Sequence, residues 1–513
     1  MRVSNWLLSV ILFLMIPFLA SATASNDNRI IIGGSISPST LDPAESWDDA
    51  SSYYINGIYE KLVQLNPKTY KIDPALAVSW TSSDNGKTWV FNLRKGVRFH
   101  DGSAFNADAV CFSFNRQLKQ DFKYRYYDFP MFKEIFNLLV QVEKLDTHRV
   151  RFHLKEPFFP FLSAMTVDCA AIVSPGAVKN LKKAFRFQPV GTGPYKLKKF
   201  EKTKRIVLER NPHYWRGKPK TDEFHTIINS NIDPLLTHFS NHRIDILNSY
   251  SISKMFAIQK LSWVETSRNI SLSTTFVAFN LHKPLFQNQQ IRIAFSHLWN
   301  ENILKLVFQD HVIVARSIFP EGIVKGSDLT RAYPQSIKQA KAILKKHLIN
   351  RKLAVDFVIY KGFQLELQLV KMYTKNLKRA GIDVNIVRVS EADYEKRIKS
   401  GAFDLTISGW LMDFPDPHSV IQPMFSKQLR AKGFANLSGL MNKPIQAMIT
   451  MASREKDKQK RNRLYLNIEK KINTAALYIP LYQDTNLVLF NKKRIHLENN
   501  ALGGLDFYLT RIK

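Results

Sequence analysis

The sequence is poor in cysteine: Cys111 and Cys169 are the only two among 513 residues. Two cysteines form at most one disulfide bond, so they exclude a disulfide-rich scaffold, and they cannot hold a zinc ion on their own. Both lie in apolar stretches of sequence. Two interpretations therefore stay open, a disulfide in an oxidising compartment and a pair of buried free thiols.

Motifs of catalysis and of phosphate binding are also missing. The chain has no Gly-x-Ser-x-Gly segment, no His-Glu-x-x-His segment and no glycine-rich phosphate loop. No group of His and Cys residues has the spacing of metal ligands. We therefore predict no catalytic residue, no metal site and no cofactor. The pair Asp413 and Asp416 keeps a hydrolytic enzyme open as a less favoured alternative.

Long apolar runs are absent except at the N-terminus. There Arg2 is followed by an apolar run over residues 7–19, and small residues occupy alternate positions up to Ala24. This pattern is typical of a cleaved signal peptide, predicted here over residues 1–24. An uncleaved anchor is the alternative, although the run is shorter than the roughly 20 residues that span a bilayer. We expect an exported, periplasmic protein.

Acidic residues are scarce relative to basic ones. The 43 Asp and Glu residues face 74 Lys and Arg residues, which gives a formal net charge of +31. Such a field favours encounter with an anionic ligand, a membrane surface or nucleic acid, or it reflects a general bias without specific function. The basic runs are scattered and match no nucleic-acid motif, so we predict no nucleic-acid partner. Strongly cationic peptides, such as cationic antimicrobial peptides, rank below neutral or acidic ones.

Apolar residues alternate in the first half of the chain, which predicts strands. One such strand covers residues 89–93, and Lys95-Gly96 predicts a hairpin turn into a second strand at 97–99. Asn106 is placed to cap a helix that begins at the next residue. Another alternating segment covers residues 150–154.

The later part of the chain alternates between strand and helix patterns. Strands are predicted around residues 355–359, 384–386 and 403–407, and helices around residues 365–380 and 391–400. This β-α-β-α-β succession implies a parallel sheet with covered faces.

Ligands bind beyond the carboxyl ends of strands in sheets of this kind. Gly409, Trp410 and Asp413 follow the predicted strand that ends near Ser408. We therefore expect these three residues at a ligand-binding edge.

Eight segments then follow one another in an order that a chance match would not produce. They are STLDP at 39–43, IYEKL at 58–62, PALA with SW at 74–80, FNLRKGVRFHDG at 91–102, PVGTGPY at 189–195, NP with YWRG at 211–217, FN at 279–280 and IPLY at 479–482. With them, nearly the whole chain from about Ile30 resembles the family 5 extracellular solute-binding proteins of ABC transporters. The segment DLTISGWLMDFPDP at 404–417 is most similar to dipeptide-binding, oligopeptide-binding and SapA-like members.

The resemblance implies an α/β fold, the two-lobed periplasmic-binding-protein clam (type II, cluster C) with an extra strand-rich subdomain in lobe I. We expect lobe I over residues 25–275, with the inserted subdomain at about 60–190. Lobe II is expected over residues 276–486, and residues 487–513 return to lobe I.

It also implies a periplasmic binding component that captures short peptides and hands them to an inner-membrane ABC permease, as a monomer. In peptide-binding relatives, the residue matching Asp413 holds the ligand's ammonium; a loop-capping role is the alternative. Trp410 would form an apolar wall or belong to the core. Gly409, Leu411 and the loop at Ser37 would contact the ligand main chain.

One departure concerns the other end of the ligand. Dipeptide binders hold the ligand's carboxylate with an arginine near the positions of Glu366, Leu367 and Gln368, where this chain has none. Lys371 lies one turn on, but a lysine is not a bidentate arginine. A longer peptide, or one whose C-terminus is not recognised, is therefore favoured over a strict dipeptide. A metal chelate or haem stays an alternative ligand, with His100 and His418 near the informative segments.

Overall fold

The computed structural model describes residues 28–248, 252–255, 258–309, 311–327, 330–347, 353–425, 443–500 and 504–513. The predicted signal peptide at residues 1–24 lies outside these ranges. Within them, no helix combines the length and the apolar character that a membrane crossing requires.

The elements fall into strands, α-helices and short 3-10 turns. The strands are β1 (Arg29–Gly34), β2 (Val63–Leu65), β3 (Ile72–Pro74), β4 (Ala77–Ser83), β5 (Thr88–Leu93), β6 (Leu139–Asp146), β7 (Arg149–Leu154), β8 (Tyr195–Glu201), β9 (Arg205–Arg210), β10 (Glu223–Ile228), β11 (Ile246–Asn248), β12 (Val264–Ile270), β13 (Ser273–Phe279), β14 (Val312–Val314), β15 (Leu353–Tyr360), β16 (Ile382–Val389), β17 (Leu405–Leu411), β18 (Tyr478–Asn491), β19 (Ile495–His496) and β20 (Arg511–Ile512). The helices are α1 (Asp49–Ile58), α2 (Ala107–Leu118), α3 (Pro130–Ile135), α4 (Phe161–Ala164), α5 (Pro175–Leu181), α6 (Ile232–Ser240), α7 (Ile252–Met255), α8 (Pro284–Gln287), α9 (Gln289–His297), α10 (Asn302–Phe308), α11 (Ile337–His347), α12 (Gln364–Arg379), α13 (Glu391–Ser400), α14 (His418–Phe425), α15 (Lys443–Arg454) and α16 (Lys458–Thr474).

One mixed sheet runs through both lobes. Among the described residues its main path is β16-β15-β17-β13-β18-β11-β1-β10-β9-β8, with β12 and β14 also paired to β18. The four strands from β16 to β13 and the first part of β18 belong to lobe II, and those from β11 to β8 belong to lobe I. The two-lobed α/β architecture expected from the sequence is confirmed, whereas the residue boundaries assigned to the lobes stay predictions.

Strand β18 links the lobes without a break. Its residues 478–482 pair with β13, and its residues 485–491 pair with β12. The chain crosses between the lobes a second time in the short connection from β12 to β13. The residues at these two adjacent crossings are placed to act as a hinge between the lobes.

The β-α-β-α-β succession of lobe II is confirmed. Strand β15 pairs in parallel with β16 and with β17, and α12 and α13 connect these strands on opposite faces. Helix α12 packs in one apolar cluster with Leu405 and Ile407, whereas α13 packs in another with Phe276 and Ala278.

A separate four-stranded sheet, β4-β5-β7-β6, forms the strand-rich subdomain of lobe I. Asn106 caps α2 as predicted, because its side chain accepts a hydrogen bond from the Ala109 N–H. The predicted hairpin from 89–93 into 97–99 is wrong. Both edges of β5 are already occupied by β4 and β7, so the segment after Gly96 turns away and Arg98 forms only an isolated bridge to Ala104.

Candidate functional site

The candidate site lies at the carboxyl end of β17, which runs further than the sequence predicts. The strand continues past Ser408 to Leu411, because Ser273 at the start of β13 still pairs with Leu411. Gly409 and Trp410 therefore lie within the strand and do not follow it. Asp413 lies two residues beyond its end.

The strand's alternation decides which side chains meet there. Leu405 and Ile407 face the apolar cluster beneath α12, so Gly409 and Leu411 continue along this same face, and Asp413 follows the end of the strand. Gly409 is exposed and Leu411 is 50% exposed. The α12 face of the sheet thus ends in an open, partly apolar surface followed by a carboxylate.

Asp413 is a half-buried carboxylate without an ion pair to any cation in the described chain. Burial, and then the negative charge of Glu134 on α3 of lobe I, raise its pKa to about 7. A carboxylate in this setting gains most from a cation that brings several N–H donors. The position of Glu134 across from Asp413 was not anticipated from the sequence, because it depends on how the lobes meet.

The lobes contact each other around this carboxylate. Phe414 of lobe II is buried within the apolar cluster of the lobe I subdomain. The ring of Phe158 meets His418 edge to face, with ring centroids 5.1 Å apart, and the Phe159 N–H donates to the Ser453 carbonyl oxygen at 2.9 Å. The structure therefore shows the two lobes closed on one another.

An ion pair between Glu156 of lobe I and Arg454 of lobe II lies at the rim of this contact. Both side chains are nearly half exposed. His418 lies deeper, where burial lowers its pKa to about 4, with Asp416 opposing the shift and Arg461 adding to it.

Asp416 has a structural role. Its carboxylate pairs with Arg461 at 2.5 Å and accepts the His418 N–H at 3.0 Å. Only 4% of Asp416 is exposed. The bond from the His418 N–H places Asp416 in the turn that leads into α14, and the ion pair with Arg461 already compensates this carboxylate.

Trp410 is partly buried against the apolar cluster beneath α13. Its Nε1–H donates to the Ser419 carbonyl oxygen at 2.8 Å. This position combines the two alternatives raised by the sequence, since the indole packs against the core while part of it stays accessible. Its contact with a ligand stays a prediction.

Ser37 lies beyond the carboxyl end of β1, in lobe I. Its Oγ accepts a long hydrogen bond of 3.4 Å from the Thr203 N–H in the β8–β9 turn. This contact does not bring Ser37 to Asp413, so its role as a ligand contact stays a prediction.

Two further carboxylates border the same edge, and sequence reasoning did not assign them a role. Glu366, in the first turn of α12, accepts the Tyr482 hydroxyl at 2.8 Å. Asp484 of β18 accepts the Ser273 hydroxyl at 2.9 Å. Burial raises the pKa of Asp484, the hydrogen bond from Ser273 opposes this, and the charge of Glu366 raises it further.

The other candidate ligands of a metal are dispersed. Cys111 and Cys169 are free thiols, and burial raises the pKa of each. His100 contacts the Gly193 carbonyl oxygen at 3.0 Å. Across the described ranges, no group of three or more His, Cys, Asp or Glu side chains is arranged to hold a metal ion.

Comparison with known proteins agrees with this architecture. The family model for bacterial extracellular solute-binding proteins, family 5 (middle), matches residues 71–431. A dipeptide-binding protein of Escherichia coli is 27% identical over 441 residues, covering 81% of each chain. Heme-binding protein A of Haemophilus influenzae is 27% identical over 486 residues, covering 90% of this chain and 88% of the relative.

Among solved structures, the periplasmic binding protein DppA from Helicobacter pylori in complex with the peptide STSA superposes with a TM-score of 0.77. It is 25% identical and covers 94% of this chain and 98% of its own.

Proposed function

Because this chain belongs to the bacterial extracellular solute-binding proteins of family 5, we propose that it is the periplasmic binding component of an ABC importer. It captures short peptides between its lobes and delivers them to an inner-membrane permease. It acts as a monomer, without a catalytic step. The hinge at β18 and the closed lobes provide the means of capture.

The observation that carries the peptide assignment is the carboxylate of Asp413. It lies where the lobes meet, has no ion pair with a described cation, and has a pKa raised by burial and by Glu134. A ligand ammonium would supply the missing positive charge to both carboxylates at once. Charge-assisted bonds of this kind contribute roughly 1.5–3 kcal/mol net.

The relatives support the class of ligand without deciding it. A dipeptide-binding protein and a heme-binding protein match this chain at the same 27% identity, and a structural neighbour holds a peptide. Haem or a metal chelate is therefore the second candidate, supported by the heme-binding relative.

The first test is mass spectrometry of small molecules released by denaturation from protein purified out of its native compartment. We expect peptides with free N-termini. Recovery of haem, a metal chelate or a glycan in their place would contradict the peptide assignment while leaving the fold unaffected.

Replacement of Asp413 by asparagine tests the site itself. We expect Asp413→Asn to weaken peptide binding tenfold or more in titration calorimetry, about 1.4 kcal/mol or more, because the ammonium loses its charged acceptor. The matched control is Asp383→Asn, which removes an exposed carboxylate at the far end of the lobe II sheet. Equal affinities of wild type and Asp413→Asn for a recovered peptide would contradict the assignment.

A further inference from the structure

We propose that Glu366 and Asp484 determine specificity at the far end of the ligand by rejecting a free carboxylate there. This inference rests on the proposed peptide function and on Asp413 as the ammonium site. It specifies that short peptides whose C-terminus is neutral, such as amides, bind better than the same peptides with a free C-terminal carboxylate.

The register of the sheet places these carboxylates relative to Asp413. The Met412 N–H donates to the Leu272 carbonyl oxygen at 2.9 Å, and the Ser271 N–H donates to the Asp484 carbonyl oxygen at 2.9 Å. Asp413 and Asp484 therefore both lie opposite Ser271, just before β13 begins. Asp413 is on the β17 side, and Asp484 is on the β18 side. Two strand spacings separate them, about 10 Å.

A ligand extended over this distance has a defined length. An extended peptide advances about 3.3–3.6 Å per residue, so about three residues cover the distance from Asp413 to Asp484. With its ammonium at Asp413, a tripeptide directed along the sheet brings its C-terminus to Asp484 and Glu366.

The far end offers the negative charge of two carboxylates. Glu366 and Asp484 are each bonded by a neutral hydroxyl, from Tyr482 and Ser273 respectively. Within the described ranges, neither carboxylate has an ion pair with Lys or Arg, and Lys371 of α12 is exposed.

The positive end of helix α12 would otherwise attract a ligand carboxylate. Glu366 occupies the first turn of this helix, so its own charge already compensates the helix dipole. The ranking of acidic above cationic ligands, drawn from the net charge of +31, is therefore reversed at this edge, where the local charge is negative.

The test compares trialanine with trialanine amide, both with free N-termini, by calorimetry at neutral pH. We expect wild type to bind the amide about tenfold more tightly, because a like charge in a partly buried site costs on the order of 1.4 kcal/mol. In Glu366→Gln/Asp484→Asn, the ratio of the two dissociation constants should fall to within about twofold of one. The control Asp383→Asn should keep the wild-type ratio.

The outcomes separate this inference from the proposed function. Equal binding of acid and amide by wild type overturns the specificity role, while binding of either peptide keeps the peptide function. Loss of both peptides in Asp413→Asn, with the tenfold ratio in wild type, supports the two together. Absence of binding by wild type to either peptide overturns both. Because the wild-type ratio decides, a misfolded double variant does not remove the test.

Discussion

Asp413 and Asp416 are three residues apart and have opposite physical roles. Asp416 is nearly fully buried but is paired with Arg461. Asp413 is half-buried and faces Glu134 with no ion pair in the described chain. Asp416 therefore contributes to the stability of the fold, whereas Asp413 carries a charge that the ligand ammonium compensates under the proposed function.

This contrast predicts opposite effects of asparagine on the ligand-free protein. Asp416→Asn should lower the free energy of unfolding by about 3–5 kcal/mol, because Arg461 is left buried and uncompensated. Asp413→Asn should raise it by about 1–3 kcal/mol at pH 8, because an unpaired buried charge is removed. Denaturant unfolding of both variants measures the difference.

The pH dependence of stability tests whether the charge of Asp413 causes the predicted gain in Asp413→Asn. Its pKa is about 7 in the folded protein and near 3.9 in an unfolded chain, so the carboxyl binds its proton more tightly when folded. The destabilisation is therefore full above pH 7 and disappears as the pH falls toward 4. A gain in Asp413→Asn that is as large at pH 4 as at pH 8 would contradict this origin.

Elements whose pattern is local were predicted well from the sequence. Helix α13 covers residues 391–400 as predicted, and α12 ends just before Gly381, whose φ of +87° suits a glycine. What could not be predicted depends on contacts between distant residues. Glu366 and Tyr482 are 116 positions apart in the sequence. A short repeating pattern of apolar and polar residues carries no information about a contact between such distant positions.

The role of the loop after β7 could not be predicted from the sequence either, because its contacts are with the opposing lobe. Residues 156–159 contact the start of α14 and the end of α15. We name these four residues the rim loop. Because it joins the lobes only when they are closed, its contacts stabilise the closed state relative to the open one.

Charge reversal in the rim loop tests this role. Glu156→Arg should weaken ligand binding about two- to fivefold, because it faces Arg454 in the closed state and an exposed pair contributes at most about 1 kcal/mol. The double variant Glu156→Arg/Arg454→Glu should restore affinity. Calorimetry measures the affinities, and denaturant unfolding of the ligand-free variants should stay near wild type. Failure of the double variant to recover affinity would contradict a contact across the lobes.

At the scale of the whole molecule, the region where the lobes meet carries acidic side chains, although the chain as a whole is strongly basic. The chain carries a formal charge of +31, yet Asp413, Glu134, Glu366 and Asp484 border the place where the lobes meet. Closing without a ligand brings Asp413 and Glu134 together with no described cation between them. The ligand-free protein should therefore favour an open arrangement, and a bound cation should favour the closed one.

This argument predicts that removing the two facing charges closes the protein without a ligand. Asp413→Asn/Glu134→Gln should have a smaller radius of gyration than ligand-free wild type in small-angle scattering at pH 8, approaching that of liganded wild type. The double variant should show little further compaction with peptide, because a ligand shifts an equilibrium only by its differential affinity for the two states. Asp383→Asn, whose carboxylate lies away from the cleft, should scatter like wild type. If the double variant stays as open as ligand-free wild type, repulsion between these carboxylates does not hold the lobes apart, and the hinge strands must set the open state instead.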